Sequence, residues 1–381
     1  GLVWLVTRNP ARAASVLLVD YSCALKLSTP LAVLAAMKEG VGRGVLVKGG
    51  RFLESLAAAD AVVFDKTGTL TESRPRVAEV IPGEGYERDD ILRTAACLEE
   101  HFPHPVARAV VRKAEQEGLH HQEEHTEVEY VVAHGIASRL HGKRVLFGSR
   151  HYIHHDEGVP VDGMREDIER LAREGRSILY LAVDGKLAGL IAIEDPLRPE
   201  AAPVIRKLLG RGIRVVMLTG DDERTAAAVA ERLGISEYRS QVLPTDKAEV
   251  IRSLQAEGHT VAMLGDGIND SPALSAADVG VTLSDGADLA REVADVVLTE
   301  CRLDGLVTAV DLSKAAMRRI RTDFGLIMTL NTVFLASGLV GFLQPGPSAL
   351  LHNLTTVGVS LNAMRPMLKA GAEPQLEEVS A

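Results

Sequence analysis

Short clusters of acids, hydroxyls and lysines in this chain carry groups that together could move a phosphoryl group. The first is "VVFDKTGTLT", where Asp65 is followed by Lys66, Thr67, Gly68 and Thr69. Farther along come Thr219-Gly220-Asp221, then Lys247 in "LPTDK", then Asp266, Asn269 and Asp270 in "GDGIND". Asp65, Asp266 and Asp270 supply the carboxylate oxygens that magnesium prefers. Thr219 and the Gly220 N–H could hold phosphate oxygens, and Lys247 adds a cation to offset charge on a transferring phosphoryl group. An aspartate attacking the γ-phosphate of ATP would give an aspartyl phosphate. From these residues alone Asp65 could be that nucleophile or only a metal ligand.

Such groups must be brought together by the elements that carry them. Val62–Phe64, "IRVVMLTG" and "TVAMLGDG" read as short buried parallel strands ending in Gly and acid clusters. Open α/β sheets keep their ligands at the carboxyl ends of such strands. Between them, residues 76–190 are acidic and His-rich, with alternating stretches such as "VEYVVAHGIASRL" and "ILYLAVDGKLAGLIAI" that suggest an antiparallel sheet. The expected fold is an α/β domain in two parts, 41–75 and 191–302, interrupted by an α+β insertion at 76–190.

Both ends of the chain differ from this middle. Residues 13–37, 324–343 and 346–368 are apolar runs of a length that can cross a bilayer. Lys38, Arg43, Lys48 and Arg51 on one side, and Arg318, Arg319 and Arg321 on the other, put residues 38–323 in the cytoplasm by the positive-inside rule. The expected layout is a membrane segment at 1–40, a connecting helix and two spans at 303–368, and a disordered tail at 369–381. The opening Gly1 inside "GLVWLV" reads as a fragment with its upstream region missing. The net charge of −10 over 381 residues argues against a nucleic-acid partner. Cys23, Cys97 and Cys301 lie far apart, with no disulfide or zinc spacing.

Taken together, "DKTGTLT", "TGDD" and "GDGINDSPAL" resemble the signature segments of P-type ATPases, and "HFPHPVARAV" resembles the His-Pro motif of the heavy-metal-transporting branch. The resemblance implies a haloacid-dehalogenase-like phosphorylation domain with an inserted nucleotide-binding domain, plus transmembrane helices. ATP and magnesium are the implied cofactors, and a transition-metal ion the cargo. It makes Asp65 the phosphorylated residue and places Asp65, Thr67, Asp266 and Asp270 at magnesium. Lys66, Thr219, Gly220, Asp221, Lys247 and Asn269 would act around the phosphate. Glu100, His104, Pro105, Gly135 and Gly148 would form the nucleotide pocket, with Ala133 standing where the family has the first glycine of Gly-x-Gly. The family's Thr-Gly-Glu actuator loop does not occur here. The resemblance therefore implies the carboxyl-terminal two-thirds or so of a longer transporter at the cell membrane. A soluble phosphatase of the same fold is the competing expectation, and it would carry an acid where Thr67 stands. A non-transporting ATP-binding remnant is a third.

For the cargo, Asp20, Cys23 and Lys26 recur every three residues and form one stripe if helical. Pro30 would leave the Lys26 carbonyl without its helical donor. The family's Cys-Pro-Cys is replaced here by "YSCALK". With His352, Asn353, Thr355 and Thr356 in the last run and Asn331 in the middle one, the available donors are mixed N, O and S. That set suits a divalent ion, with zinc and manganese ranked first, over copper(I). His120, His121, His125, His151, His154 and His155 lack fixed ligand spacing and read as solvated loops.

Overall fold

The computed structural model describes residues 2–72, 74–100, 105–119, 129–131, 135–266 and 268–368. The chain divides into two compact units, residues 60–294 and residues 1–59 with 295–381.

The core of the first unit is a parallel sheet whose strands run Val279–Leu283, Val261–Leu264, Ala61–Asp65, Arg214–Leu218 and Glu237–Arg239 in spatial order. All five residues of the central strand are buried. This is the near-continuous apolar run that parallel sheets require, because helices cover both faces. One face packs Ala61, Val63, Val216, Leu218, Val261 and Met263 against Ile251, Leu254, Ala273 and Leu274 from the helices. Register sets the rest: Asp65 lies opposite Leu218, and Phe64 opposite Leu264. Thr219 and Gly265 thus begin the loops on either side of Asp65.

The inserted lobe is a six-stranded antiparallel sheet, ordered Arg76–Pro82, Lys186–Glu194, Ser177–Val183, Lys143–Gly148, Gly135–Leu140, Glu129–Val131. Helices Arg88–Glu99 and Pro105–Gln116 cover one face through Ile91, Leu92, Leu98 and Val110. The helix Arg165–Arg173 contributes Ile168 and Leu171 to the other. The insertion runs to Glu194 rather than stopping at 190, because Glu194 pairs with Arg76 across the first and last crossings of the lobe. A bridge between Thr71 and Leu197 then ties the two connecting segments together.

The second unit is helical, with a short antiparallel pair, Val45–Val47 against Val296–Leu298. Among the described residues, two stretches are helical, long and apolar enough to cross a membrane, Pro10–Val41 and Asp304–Val340. The first is broken into Pro10–Leu17 and Tyr21–Val41, where a single run over 13–37 was expected. Asp20 explains the break: its carboxylate accepts from Ser22 N at 2.9 Å and caps the second helix from outside it. Pro30 does not end that helix, which continues to Val41. The third expected span forms as the helix Pro345–Ala363. The expected connecting helix is not separate; it is the first part of Asp304–Val340. The tail at 369–381 lies outside the described residues.

Candidate phosphoryl-transfer site

The three acid clusters meet where the parallel strands end. Ligand oxygens of Asp65, Asp266 and Asp270 all lie within 4.8 Å of one another. Lys247, the first residue of the helix Lys247–Ala256, reaches in from the side. Its Nζ donates to Asp65 Oδ1 and to Asp270 Oδ1, each at 2.6 Å. Asp65 is 5% exposed, Asp270 2% and Lys247 7%, so these charges interact through little water. Burial pushes the Asp65 carboxyl well above the usual carboxylate range, the Asp270 carboxylate adds to this, and the Lys247 ammonium opposes it. Burial alone would lower Lys247, but Asp65 and Asp270 outweigh it and hold the ammonium firmly protonated.

An all-oxygen set of three converging carboxylates suits a hard cation such as magnesium. The turn after Asp65 is shaped for close approach. Gly68 has φ +78°, and a Cβ there would stand 1.9 Å from Asp266 Oδ2. Among the described residues the buried Thr69 hydroxyl has no partner, leaving one polar atom in the turn free to accept or donate. These residues fit a divalent ion.

Lys66 follows Asp65 in sequence but turns away from it. Its Nζ pairs with Asp221 Oδ2 and donates to Ser177 Oγ at 3.3 Å. Thr219 Oγ1 also donates to Asp221 Oδ2, at 2.9 Å, and Ser177 Oγ donates to Asp221 Oδ1 at 2.7 Å. Burial would raise Asp221, but Lys66 and these hydrogen bonds keep its carboxyl below the usual range. The second acid of "TGDD" has a different job: Asp222 caps the helix Glu223–Leu233, accepting from Arg224 N and Thr225 N. Thr67, Gly220 and Asn269 are exposed around the rim. A cavity of about 390 Å³ opens beside Lys66 and Ser177, lined also by Arg173, Arg176, Asp195 and Arg232.

Sequence reasoning missed several residues that the fold brings here. Arg198 donates to the Thr69 carbonyl at 3.0 Å and the Gly68 carbonyl at 3.3 Å, holding the turn after Asp65 in place. Asp195 accepts from the Thr71 hydroxyl and the Arg74 N–H. A charged "EDPLR" directly after an apolar strand was the available signal. For Ser177 there was none.

Of the expected nucleotide residues, Gly135 and Gly148 are brought face to face by strand register. Any Cβ on Gly135 would meet the Phe147 carbonyl and the Tyr152 ring at 2.5 Å. Glu100 closes the helix Arg88–Glu99 and Pro105 opens the helix Pro105–Gln116. His104 and Ala133 lie outside the described residues, as do His120, His121 and His125. His151, His154 and His155 sit in one wide helical turn, His151–Asp156, rather than a loop, and His154 Nδ1 is held 2.9 Å from the Val159 carbonyl.

In the helical unit the candidate cargo residues do not close into one cluster. Asp20 takes the Cys23 thiol at 3.0 Å, while Cys23 and Lys26 are exposed. His352 is buried, with Nδ1 3.3 Å from Asn331 Oδ1. Asn331 Nδ2 in turn donates to the Asp20 carbonyl at 3.3 Å. Asn331 thus links the Asp20 cap to His352 across three helices.

The model of the haloacid dehalogenase-like hydrolases matches residues 59–278. Over 368 residues, 96% of this chain and 50% of the relative, it is 43% identical to a zinc-exporting P-type ATPase of Mycobacterium marinum. It is 42% identical, over 96% of the chain and 51% of the relative, to a manganese-exporting P-type ATPase of Mycobacterium tuberculosis. A crystal structure of a zinc-transporting PIB-type ATPase in its E2.Pi state aligns with a TM-score of 0.67 and 36% identity, covering 91% of this chain and 56% of that one. The resemblance to metal-transporting P-type ATPases therefore extends over nearly the whole chain. The chain spans about half the length of these curated relatives, rather than the two-thirds the sequence suggested.

Proposed function

Because the chain belongs to the haloacid dehalogenase-like hydrolase family, we propose that it carries the phosphoryl-transfer half of a metal-exporting P-type ATPase, with Asp65 as the phosphorylated residue. The observation that carries this is the Asp65–Lys247–Asp270 contact at the strand ends, with Asp266 beside it. An Asp65 oxygen attacks the γ-phosphorus of ATP. The bond to the bridging oxygen breaks, and ADP leaves with the electron pair. Lys247 stays charged beside the phosphoryl group, and Thr219 and the Gly220 N–H meet its oxygens. Asp65, Asp266 and Asp270, with Thr67, would hold magnesium, which when bound neutralises charge on the phosphate. On this reading the inserted lobe holds the nucleotide, with Glu100, His104, Pro105, Gly135 and Gly148 as its pocket residues.

Thr67 separates this reading from a phosphatase. No acid stands there to activate water, so the aspartyl phosphate should outlast a phosphatase intermediate and can bias two states of the membrane helices. The cargo on this reading is a divalent transition-metal ion, zinc or manganese first, passing Cys23 with Asp20, Lys26 and His352 nearby. Zinc and manganese export by the two relatives supports that ranking. The protein would lie in the cell membrane with residues 38–323 cytoplasmic.

The experiment compares phosphate release from a small phosphoester with label retained from ATP after an acid quench. Retained, hydroxylamine-sensitive label with slow release supports the ATPase reading. Steady release with no retained label would make the chain a phosphatase, and nucleotide binding without either would make it an ATP-binding remnant.

A further inference from the structure

Among the described residues, the Ser177 hydroxyl joins the inserted lobe to charged groups of the site. Ser177 is the first residue of the strand Ser177–Val183 and pairs with Ile193, near the end of the last strand of the lobe. Its Oγ donates to Asp221 Oδ1 at 2.7 Å and accepts from Lys66 Nζ at 3.3 Å. Asp221 sits in the loop after Arg214–Leu218, and Lys66 directly follows Asp65. One oxygen therefore joins the lobe to the two loops that frame the nucleophile. Asp221 Oδ2 is already taken by Lys66 and by Thr219 Oγ1, which leaves Oδ1 to Ser177. Nearby contacts hold the same two surfaces together. Thr225 Oγ1 donates to the Arg176 carbonyl at 3.3 Å, and Arg224 pairs with Glu169 at 3.1 Å. The Arg224–Glu169 pair is exposed and contributes little, and the Thr225–Arg176 bond adjoins Ser177 without touching Asp221 or Lys66.

We propose that Ser177 is a positioning residue for phosphoryl transfer from ATP: its bridge to Asp221 and Lys66 sets the inserted lobe at the separation from Asp65 that a seated nucleotide needs. This rests on Asp65 being the nucleophile and the inserted lobe holding the nucleotide. Ser177 touches no reacting atom and works through Asp221 and Lys66. Two consequences separate it from a residue that merely stabilises the fold. A small donor such as acetyl phosphate reaches Asp65 without being carried by the lobe, so its transfer should not depend on the bridge. A threonine keeps both the donor and the acceptor, so it should substitute for the serine.

The test uses the 381-residue chain in detergent as wild type, Ser177→Ala and Ser177→Thr. Labelling of Asp65 is followed from ATP and from acetyl phosphate, and amide hydrogen exchange over residues 169–177 and 221–229. Ser177→Ala should slow labelling from ATP about ten-fold, the scale of one hydrogen bond to charged groups. It should leave labelling from acetyl phosphate within two-fold of wild type, by the same scale, and speed exchange in both segments. Ser177→Thr should restore all three. Equal loss with both donors, unchanged exchange in Ser177→Ala, or failure of Ser177→Thr to restore ATP labelling would each overturn the proposal. If wild type takes no label from either donor, the nucleophile reading fails first, and the positioning role falls with it.

Discussion

The Lys247 ammonium lies 2.6 Å from Asp65 Oδ1 and 2.6 Å from Asp270 Oδ1, so one cation is shared by the candidate nucleophile and a candidate metal ligand. The sharing matters because all three groups are buried. Replacing Lys247 by alanine leaves two carboxylates facing each other with no counter-charge, and breaking a buried pair in this way costs about 3–5 kcal/mol. Lys247→Ala should therefore lower the thermal midpoint and cut phosphorylation from ATP by about 100-fold or more. Arginine at 247 should recover much of the midpoint and little of the rate, because its planar fork cannot place one point charge between two oxygens. Full activity in Lys247→Ala would remove Lys247 from the site.

Gly68 makes a second, purely geometric prediction. Its φ of +78° alone costs a side chain about 1–2 kcal/mol. A Cβ would also collide with Asp266, 1.9 Å away. Gly68→Ala should destabilise the protein by about 2 kcal/mol or more and displace Asp266. Magnesium, which should raise the thermal midpoint of wild type by mass action, should then raise that of the variant much less. An equal magnesium shift in both proteins would mean that Asp266 does not hold the ion.

Glu99 supplies a pH dependence away from the metal. Burial at the end of the helix Arg88–Glu99 raises its carboxyl from 4.5 to about 7. A raised folded value means that the unfolded chain ionises first as pH rises. The stability tied to this group is thus complete below about 4.5, falls between there and 7, and stays lost above. Glu99→Gln should match wild type at pH 4.5 and be the more stable protein at pH 8, read as the difference in urea midpoint across that range. A constant difference between the two proteins at every pH would contradict it.

The candidate cargo residues predict a split between transport and chemistry. In the chain extended by its upstream coding region, Cys23→Ala and His352→Ala should abolish metal-stimulated phosphorylation from ATP. The two substitutions lie in the helical unit, so labelling from acetyl phosphate in the same membranes should persist. Screening zinc, manganese, cobalt, iron, cadmium and copper(I) would name the ion. Stimulation by every metal alike, unaffected by Cys23→Ala, would place the cargo site elsewhere.

Much of this site was legible because its parts sit at strand ends. The buried run Ala61–Asp65 and the apolar strands before Thr219 and Gly265 mark themselves by composition, and parallel pairing then leaves little choice about where their loops meet. The antiparallel insertion was legible from alternation for the same reason. What escaped was set by contacts between segments far apart in the chain. Nothing local marks Ser177, whose partners lie 44 and 111 residues away. Asp20 was read as one member of a helical stripe, whereas its carboxylate competes for backbone N–H groups and starts the helix instead.

The most direct test is to locate the phosphate. The chain would be incubated with magnesium and γ-labelled ATP, quenched in acid and cleaved, and the labelled peptide identified in wild type and in Asp65→Asn. Hydroxylamine-sensitive label confined to the Val62–Thr71 peptide, and absent from Asp65→Asn, is the expected result. Label on any other residue, or label that survives Asp65→Asn, would show that Asp65 is not the nucleophile and that the carboxylate cluster around Lys247 serves only to bind metal.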